Sequence, residues 1–186
     1  MHRCKTNKIV QRCYSEQECK KFNKIKAVCP PVPQEGQGPP VACCGLLTEF
    51  DQNIVTPTSI ELTMSPTLLT TVSLNIDDSD DRVWLTGTVQ TRVGTFEPVP
   101  GFVQIALRIF RNDPTFTASI FEIVDVVVNS GFVNVNTTTF TFVDPSPPTG
   151  LNIYYLTGEI TSKDPQATGA NVETIVFTGG EIEANS

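Results

Sequence analysis

The stretch VWLTGTVQTRV, residues 83–93, decides the fold class because its apolar and polar residues alternate. A period of two is typical of a β-strand that buries one face and exposes the other. We therefore predict a half-buried strand at these residues. Its apolar side consists of Val83, Leu85, Val89 and Val93, and its polar side consists of Thr86, Thr88, Gln90 and Arg92.

Seven further β-rich runs flank this stretch, and turn signals such as Ser65-Pro66 and Asn129-Ser130-Gly131 separate them. No segment offers the long 3.6-residue apolar stripe of an amphipathic helix. Eight antiparallel strands in about 135 residues are typical of a two-sheet sandwich, of which the jelly roll is the eight-stranded form. We predict an all-β, eight-stranded antiparallel jelly-roll sandwich. The other seven runs cover residues 60–64, 68–76, 103–109, 116–128, 133–142, 151–161 and 172–184.

The run at residues 133–142 changes phase along its length. Its apolar residues stand at odd positions in Val133 and Val135 but at even positions in Phe140 and Phe142. One extra residue in a strand shifts which side chains face the core. We therefore predict a β-bulge within Thr137-Thr138-Thr139.

The chain divides into two segments of opposite charge. Residues 1–45 hold eight of the 13 Lys and Arg and three of the 20 Asp and Glu, so this arm carries +5 and the remainder −12. Residues 30–40 contain five prolines and two glycines, which do not fit a helix or a central strand. We predict a basic N-terminal arm, residues 1–45, joined through this Pro/Gly linker to a β-sandwich domain, residues 46–186.

All six cysteines lie in the arm, and their spacing lacks the C-x-x-C pairs of a zinc site or of a thioredoxin-type redox centre. Disulfides or inert thiols remain. A bond between the neighbours Cys43 and Cys44 would close a strained ring, so each is expected to have a separate partner. Bonds between subunits and a local disulfide knot both stay open. The candidate crosslinking residues are Cys4, Cys13, Cys19, Cys29, Cys43 and Cys44.

The cysteine pattern conflicts with the start of the chain, which lacks the apolar stretch of a secretory signal peptide. Cytosolic thiols stay reduced, whereas released proteins can be oxidised. A protein made inside a cell and oxidised after release resolves the conflict, and both spore surface layers and virions meet that condition. No apolar run approaches the roughly 18 residues that cross a bilayer, so we predict no membrane association.

The basic charge of the arm raises the alternative of a nucleic-acid partner, because some sandwich-fold capsid proteins carry a basic arm on their inner side. Three acidic residues dilute this charge and there is no Arg-rich run. Attraction of the arm to the acidic body of a neighbouring copy explains the charge equally well. We therefore do not favour nucleic acid as a partner.

Catalytic and metal chemistry finds little support in the sequence. The only histidine is His2, so a Ser-His-Asp or Cys-His site inside the sandwich is excluded. The acidic run Asp77–Asp81 offers oxygen ligands for Ca²⁺ but lacks the glycine and the distal Glu of an EF-hand, so we predict a solvated turn. Trp84 stands on the polar side of its strand, either as an interface anchor or packed under a loop. We predict no enzyme activity and no cofactor or metal.

The order of segments resembles a known family. An N-terminal cysteine-bearing connector, the vicinal Cys43-Cys44 before the body and a Thr/Val-rich eight-strand body are similar to the endospore appendage (Ena) fibre subunits of spore-forming bacilli. The stretches DRVWLTGTV, residues 81–89, and LRIFRND, residues 107–113, also resemble jelly-roll proteins of that spore surface.

The resemblance implies self-assembling jelly-roll subunits joined by strand augmentation and by disulfides from the connector, with Cys43 and Cys44 as the crosslinking pair. This chain departs from that pattern in its longer basic arm with four extra cysteines and in having no cysteine in the body. Bonds between subunits would then join arm to arm, and the chain would be a specialised subunit, such as an anchor or a terminus, or belong elsewhere.

The sequence favours a structural, self-assembling subunit of an extracellular or endospore-surface fibre, crosslinked through its arm. Its expected partners are copies of itself and other spore-surface proteins. Two alternatives remain. One is a virus-like shell protein with a nucleic-acid-binding arm. The other is a ligand-binding jelly roll of the TNF or lectin kind, with loops 94–101 and 144–150 as its site.

Overall fold

The structure, a computed structural model, describes residues 47–56, 59–95, 100–129 and 133–183. These residues form nine β-strands and no helix, so they contain no helix that could cross a membrane. The predicted arm, residues 1–45, lies outside them. The strands are β1 (Leu47–Val55), β2 (Ile60–Leu62), β3 (Thr67–Ile76), β4 (Arg82–Thr95), β5 (Gly101–Arg111), β6 (Ser119–Asn129), β7 (Val133–Asp144), β8 (Gly150–Lys163) and β9 (Ala167–Ile182).

The strands build two antiparallel sheets. One has the order β1-β9-β4-β7, with β2 also on β9, and the other has the order β3-β8-β5-β6. Because β1 and β2 pair with successive parts of β9, they act as one interrupted edge strand. Strands β1 and β2 thus pair with β9, β3 with β8, β4 with β7 and β5 with β6. This nested order is that of one long hairpin folded across two sheets. This is a jelly roll, and the predicted all-β jelly-roll sandwich is confirmed.

The predicted runs omit strand β1. Its apolar side chains Phe50 and Ile54 point outward and are exposed, whereas the carboxylate of Asp51 reaches the opposite sheet. This is the reverse of the pattern that marks a half-buried strand. Alternation therefore could not identify β1, which its neighbour β9 specifies through backbone pairing.

The bulge predicted within Thr137-Thr138-Thr139 is wrong. Strands β4 and β7 keep one unbroken register from Val83 opposite Asp144 to Gly94 opposite Val133. Even-numbered side chains of β7 face inward along the whole strand. The change lies in residue type, because the inward positions are polar up to Thr138 and apolar at Phe140 and Phe142. A register shift occurs instead in β3, between Leu68 and Thr70, and leaves Leu68 exposed.

The core lies between the two sheets and depends on close packing at Gly87 in the centre of β4. The ring of Phe140, directly opposite on β7, covers this glycine, and a Cβ added at Gly87 would lie 2.1 Å from Phe140 Cζ. Phe140 also packs against Phe121 and Phe177, with ring centroids 5.3 and 6.3 Å away. Glycine in a central strand is favoured here because an aromatic ring occupies the place of its side chain.

A buried polar cluster joins the sheets at one end of the sandwich. Asp144 at the end of β7 accepts hydrogen bonds through Oδ2 from the Tyr154 hydroxyl at 3.0 Å and from Arg111 Nη1 at 2.6 Å. Burial, followed by the charge of Asp144, raises the pKa of Tyr154 far above its ordinary value. Tyr154 is therefore a permanent donor, and Arg111 balances the carboxylate charge.

We predict that Gly87→Ala destabilises the sandwich by about 1–3 kcal/mol, the usual cost of overpacking a core. The methyl group would displace the Phe140 ring, which is itself fixed by Phe121 and Phe177. Urea unfolding of the variant and the wild type measures the difference. Thr88→Ala, at the next position on the outer face, is the matched control, and equal losses in both variants would contradict this account.

Candidate assembly surfaces

The predicted crosslinking cysteines Cys4, Cys13, Cys19, Cys29, Cys43 and Cys44 all lie outside the described residues. Their disulfide partners therefore stay a prediction. Of the two loops predicted for a ligand site, residues 96–99 also lie outside the described ranges. The other loop, 144–150, anchors the Arg111–Asp144 ion pair through the carbonyl oxygen of Ser146, which accepts from Arg111 Nη1 at 2.9 Å. This loop thus has a structural role.

One lateral side of the sandwich, where β1 and β3 are the edge strands, is closed by side chains. The Asp51 carboxylate of β1 accepts the main-chain N–H of Ser73 at 2.7 Å, and the Glu49 carboxylate accepts that of Asn75. Main-chain donors of an edge strand are the groups that would pair with another chain. Because β1 occupies two of them on β3, the edge of β3 is protected against strand addition.

The opposite side, where β6 and β7 are the edge strands, has a different character. Neither strand contains Lys, Arg or Pro, which is also true of β1 and β3, so the two sides differ in the capping of their main-chain N–H groups and not in these residues. Among the described residues of these two strands, one side chain bonds to main chain: Asn134 Nδ2 donates to the Val128 carbonyl oxygen at 2.7 Å. The outer surfaces of both strands carry exposed valines. These are Val124, Val126 and Val128 on β6 and Val133, Val135 and Val143 on β7.

Polar groups occupy part of the interior between these two edges, beside the apolar core. The Asp125 carboxylate of β6 accepts hydrogen bonds from Asn136 Nδ2 of β7 at 2.6 Å and from the Thr138 hydroxyl. The six exposed valines therefore face outward while Asp125, Asn136 and Thr138 face inward, which reverses the usual arrangement at these positions of a sandwich edge. The sequence signal for this reversal is the alternation VNVN at residues 133–136, in which valine can occupy either face.

The outer face of the five-stranded sheet forms a second surface. Its first row, across β1, β9, β4 and β7, consists of Phe50, Gly180, Trp84 and Val143. Phe50 is 58% and Trp84 46% exposed, so Trp84 does not pack under a loop. The Leu47 side chain lies over Gly180, where an added Cβ would be 2.5 Å from Leu47 Cδ1. Three further rows are Gln52, Thr178, Thr86 and Thr141, then Ile54, Val176, Thr88 and Thr139, and then Thr174, Gln90 and Thr137.

These 15 positions, which we call the uncharged face, contain no ionisable residue. Charged residues appear only at its ends. Arg82 lies beyond Trp84 on β4, and Arg92 lies at the other end, paired with Glu173 at 2.8 Å. In the centre the hydroxyls of Thr86 and Thr178 share a hydrogen bond of 2.6 Å.

An acidic cluster in which Asp81 and Glu181 are buried and Asp77 is exposed lies at the end of the sandwich near Leu47. One carboxylate oxygen from each of Asp77, Asp81 and Glu181 lies within 4.8 Å of the others. The predicted solvated turn is correct for residues 77–80, but Asp81 is buried. Glu181 accepts the Thr48 hydroxyl at 2.7 Å and the Asp77 main-chain N–H at 3.3 Å. Burial, followed by the nearby carboxylates of Asp77 and Asp81, raises the pKa of Glu181.

Comparisons with known proteins give little to place beside this geometry. No protein-family model matches the chain, and no curated protein matches it either. A solved structure titled "CBM4 structure and function" is similar at 13% sequence identity and a TM-score of 0.26, covering 61% of this chain and 73% of its own. The fold assignment rests on the strand pairing described above.

We predict that Glu181→Gln raises the melting temperature near neutral pH. A carboxyl whose folded pKa is raised stabilises the fold only while it is protonated, and this contribution is lost as pH rises through the folded pKa. A neutral amide can accept the Asp77 N–H through its oxygen and donate through its NH2 group to the Thr48 hydroxyl, and it removes the charge beside Asp77 and Asp81. Each kcal/mol gained raises the melting temperature by roughly 2–4 °C in a chain of this size.

Thermal unfolding of both proteins at several pH values measures this effect. The advantage of the variant should disappear below about pH 4, where a normal Glu is protonated in both states. Glu61→Gln, at an exposed carboxyl, is the control and should show no such trend. A pH-independent difference between Glu181→Gln and the wild type would contradict the assignment.

Proposed function

We propose that this protein is a structural subunit of an extracellular or endospore-surface fibre. Copies associate through the open sheet edges of β6 and β7, and disulfides from the N-terminal arm make the polymer covalent. The observation that carries this proposal is the difference between the two lateral sides. Carboxylates cap two main-chain N–H groups of β3, whereas among the described residues no carboxylate caps a main-chain N–H of β6 or β7, whose outer faces carry exposed valines.

Strand addition is the kind of contact that such edges support. An incoming strand pairs with the main chain, and side chains at alternate positions pack against those of the edge strand. Long, apolar edge strands are normally avoided because they cause association. A protein that keeps two of them on one side, with Val126 and Val135 exposed on their outer faces, is suited to controlled self-association.

The arm supplies the second element of the proposal. All six cysteines lie in residues 4–44, while the described residues contain none. Disulfides placed outside the core are suited to joining subunits, and the sandwich does not need them for its own stability. The resemblance to endospore appendage subunits supports the spore surface as the location, with Cys43 and Cys44 as the crosslinking pair.

We predict that the released protein forms a ladder of covalent oligomers on a non-reducing gel that collapses to one monomer band after reduction. Replacement of Cys43 and Cys44 together by Ser should shorten the ladder, and replacement of all six should abolish it. A monomer under both conditions would rule out covalent assembly. Electron microscopy should show filaments, whereas closed shells with a nucleic-acid absorbance spectrum would favour the capsid alternative.

We also predict that the double substitution Val126→Lys and Val135→Lys prevents elongation of the reduced protein. Both side chains are exposed, at 51% and 44%, so the fold should be retained, while charge on both edges opposes strand addition. Filament length by electron microscopy and the melting temperature measure the two effects. Leu151→Lys, 65% exposed on the central strand β8, is the matched control and should elongate normally. Normal filaments from the double variant would exclude this edge as the contact.

A further inference from the structure

We infer that the uncharged face is a second interface, and that its occupant is the same face of another copy. This contact packs sheet against sheet and is distinct from strand addition at the β6 and β7 edges. It concerns the same partner and rests on the proposed self-association of the chain. Within a fibre it would join neighbouring strings of subunits side by side.

Charge selects a second copy as the partner. The segment that contains the sandwich carries −12, so most contacts between two copies bring acidic residues together. The uncharged face is the exception, since its 15 positions carry no charge and Glu173, at one end of it, is paired with Arg92. Two of the five cations of that segment, Arg82 and Arg92, border it. Like-charge repulsion is therefore smallest where two of these faces meet.

The size of the face suits a weak contact of this kind. Four strands at their usual spacing and four rows of alternate residues cover about 19 by 27 Å, or about 500 Å². Two such faces together bury about 1,000 Å², which lies at the lower limit for a specific protein interface. One pair of copies would associate weakly, and repetition along a fibre would make the contact effective.

The composition of the face also follows the pattern of an interface. The aromatic side chains of Phe50 and Trp84 stand on either side of Gly180, with Leu47 between them, and form an apolar end. Aromatic anchors of this type dominate binding energy at interfaces. The rest is a threonine surface whose hydroxyls can donate and accept, so two copies can satisfy one another without charged residues.

The chain's own arm is the other possible occupant. The arm joins the sandwich next to Leu47, but it carries +5 and gains nothing electrostatically from an uncharged surface. The acidic surfaces elsewhere on the sandwich attract it more strongly. The experiment separates the two occupants, because burial by the arm does not depend on protein concentration whereas burial by a second copy does.

Trp84 is the chain's only tryptophan, so its fluorescence reports on this face directly. The test uses the full chain under reducing conditions, which removes disulfides, and carries Val126→Lys and Val128→Lys, which oppose strand addition at β6 without adding charge to the sheet that bears the uncharged face. Over about a hundred-fold increase in concentration, the Trp84 emission should shift to the blue and become less accessible to iodide, as monomer is converted to dimer. Sedimentation velocity on the same samples gives the monomer–dimer equilibrium.

Substitutions on the face should weaken this dimer by at least about ten-fold. Phe50→Thr keeps Trp84 as the reporter, and Trp84→Thr is followed by sedimentation. Threonine is chosen because it matches the neighbouring residues and favours strands, and both sites are exposed. Trp84→Phe should retain most of the association. Leu151→Thr, an exposed leucine on the other sheet, should leave the dimer unchanged.

The inference is overturned if the edge variant stays monomeric with red-shifted emission throughout, or if Phe50→Thr dimerises as tightly as its parent. Blue-shifted emission that is independent of concentration would assign the face to the arm and also overturn it. These outcomes can be distinguished from a failure of the proposed function. If the wild type forms no filaments but the Trp84 emission still shifts with concentration, only the proposed fibre is refuted. If filaments form but the emission does not shift, only the proposed face-to-face contact is refuted.

Discussion

The pairing of β4 with β9 is the interaction on which the rest of this structure depends. It runs from Arg82 opposite Ile182 to Thr95 opposite Ala167, and each strand has a further partner on its other side. The inner faces of the pair supply fully buried residues such as Val83, Leu85 and Phe177. Because β4 is in the middle of the chain and β9 at its end, their pairing closes the long hairpin of the jelly roll.

Close packing at this centre explains why glycine is needed inside the sheet. Phe140 covers Gly87 on the inner face, and Leu47 covers Gly180 on the outer face. In both places a large side chain from a neighbouring strand occupies the room that the glycine leaves. The inner contact fixes β7 against β4, and the outer contact fixes the start of β1 on β9. Both lateral sides of the five-stranded sheet thus depend on the same central pair.

The lateral sides differ because their polar groups are used differently. On the β1 and β3 side, Glu49 and Asp51 reach across and bind main-chain N–H groups of the opposite edge. On the β6 and β7 side, Asp125 accepts hydrogen bonds from the side chains of Asn136 and Thr138 in the interior. Carboxylates thus bind main-chain N–H groups on one side and side chains on the other, and this difference is the basis of the assembly that we propose.

Alternation in the sequence alone determined the all-β class and the strands with apolar inner faces, because burial on one side imposes a period of two. It determined as well that every cysteine and most of the basic charge belong to the arm. The sequence did not reveal β1 or the constant register of β7, because their inward residues are polar and find partners on other strands, as Asp51 and Asp125 do. Only the tertiary structure decided that Phe50 and Trp84 share one uncharged face. Their strands, β1 and β4, are far apart in the chain and come onto the same face because β9 pairs with both of them.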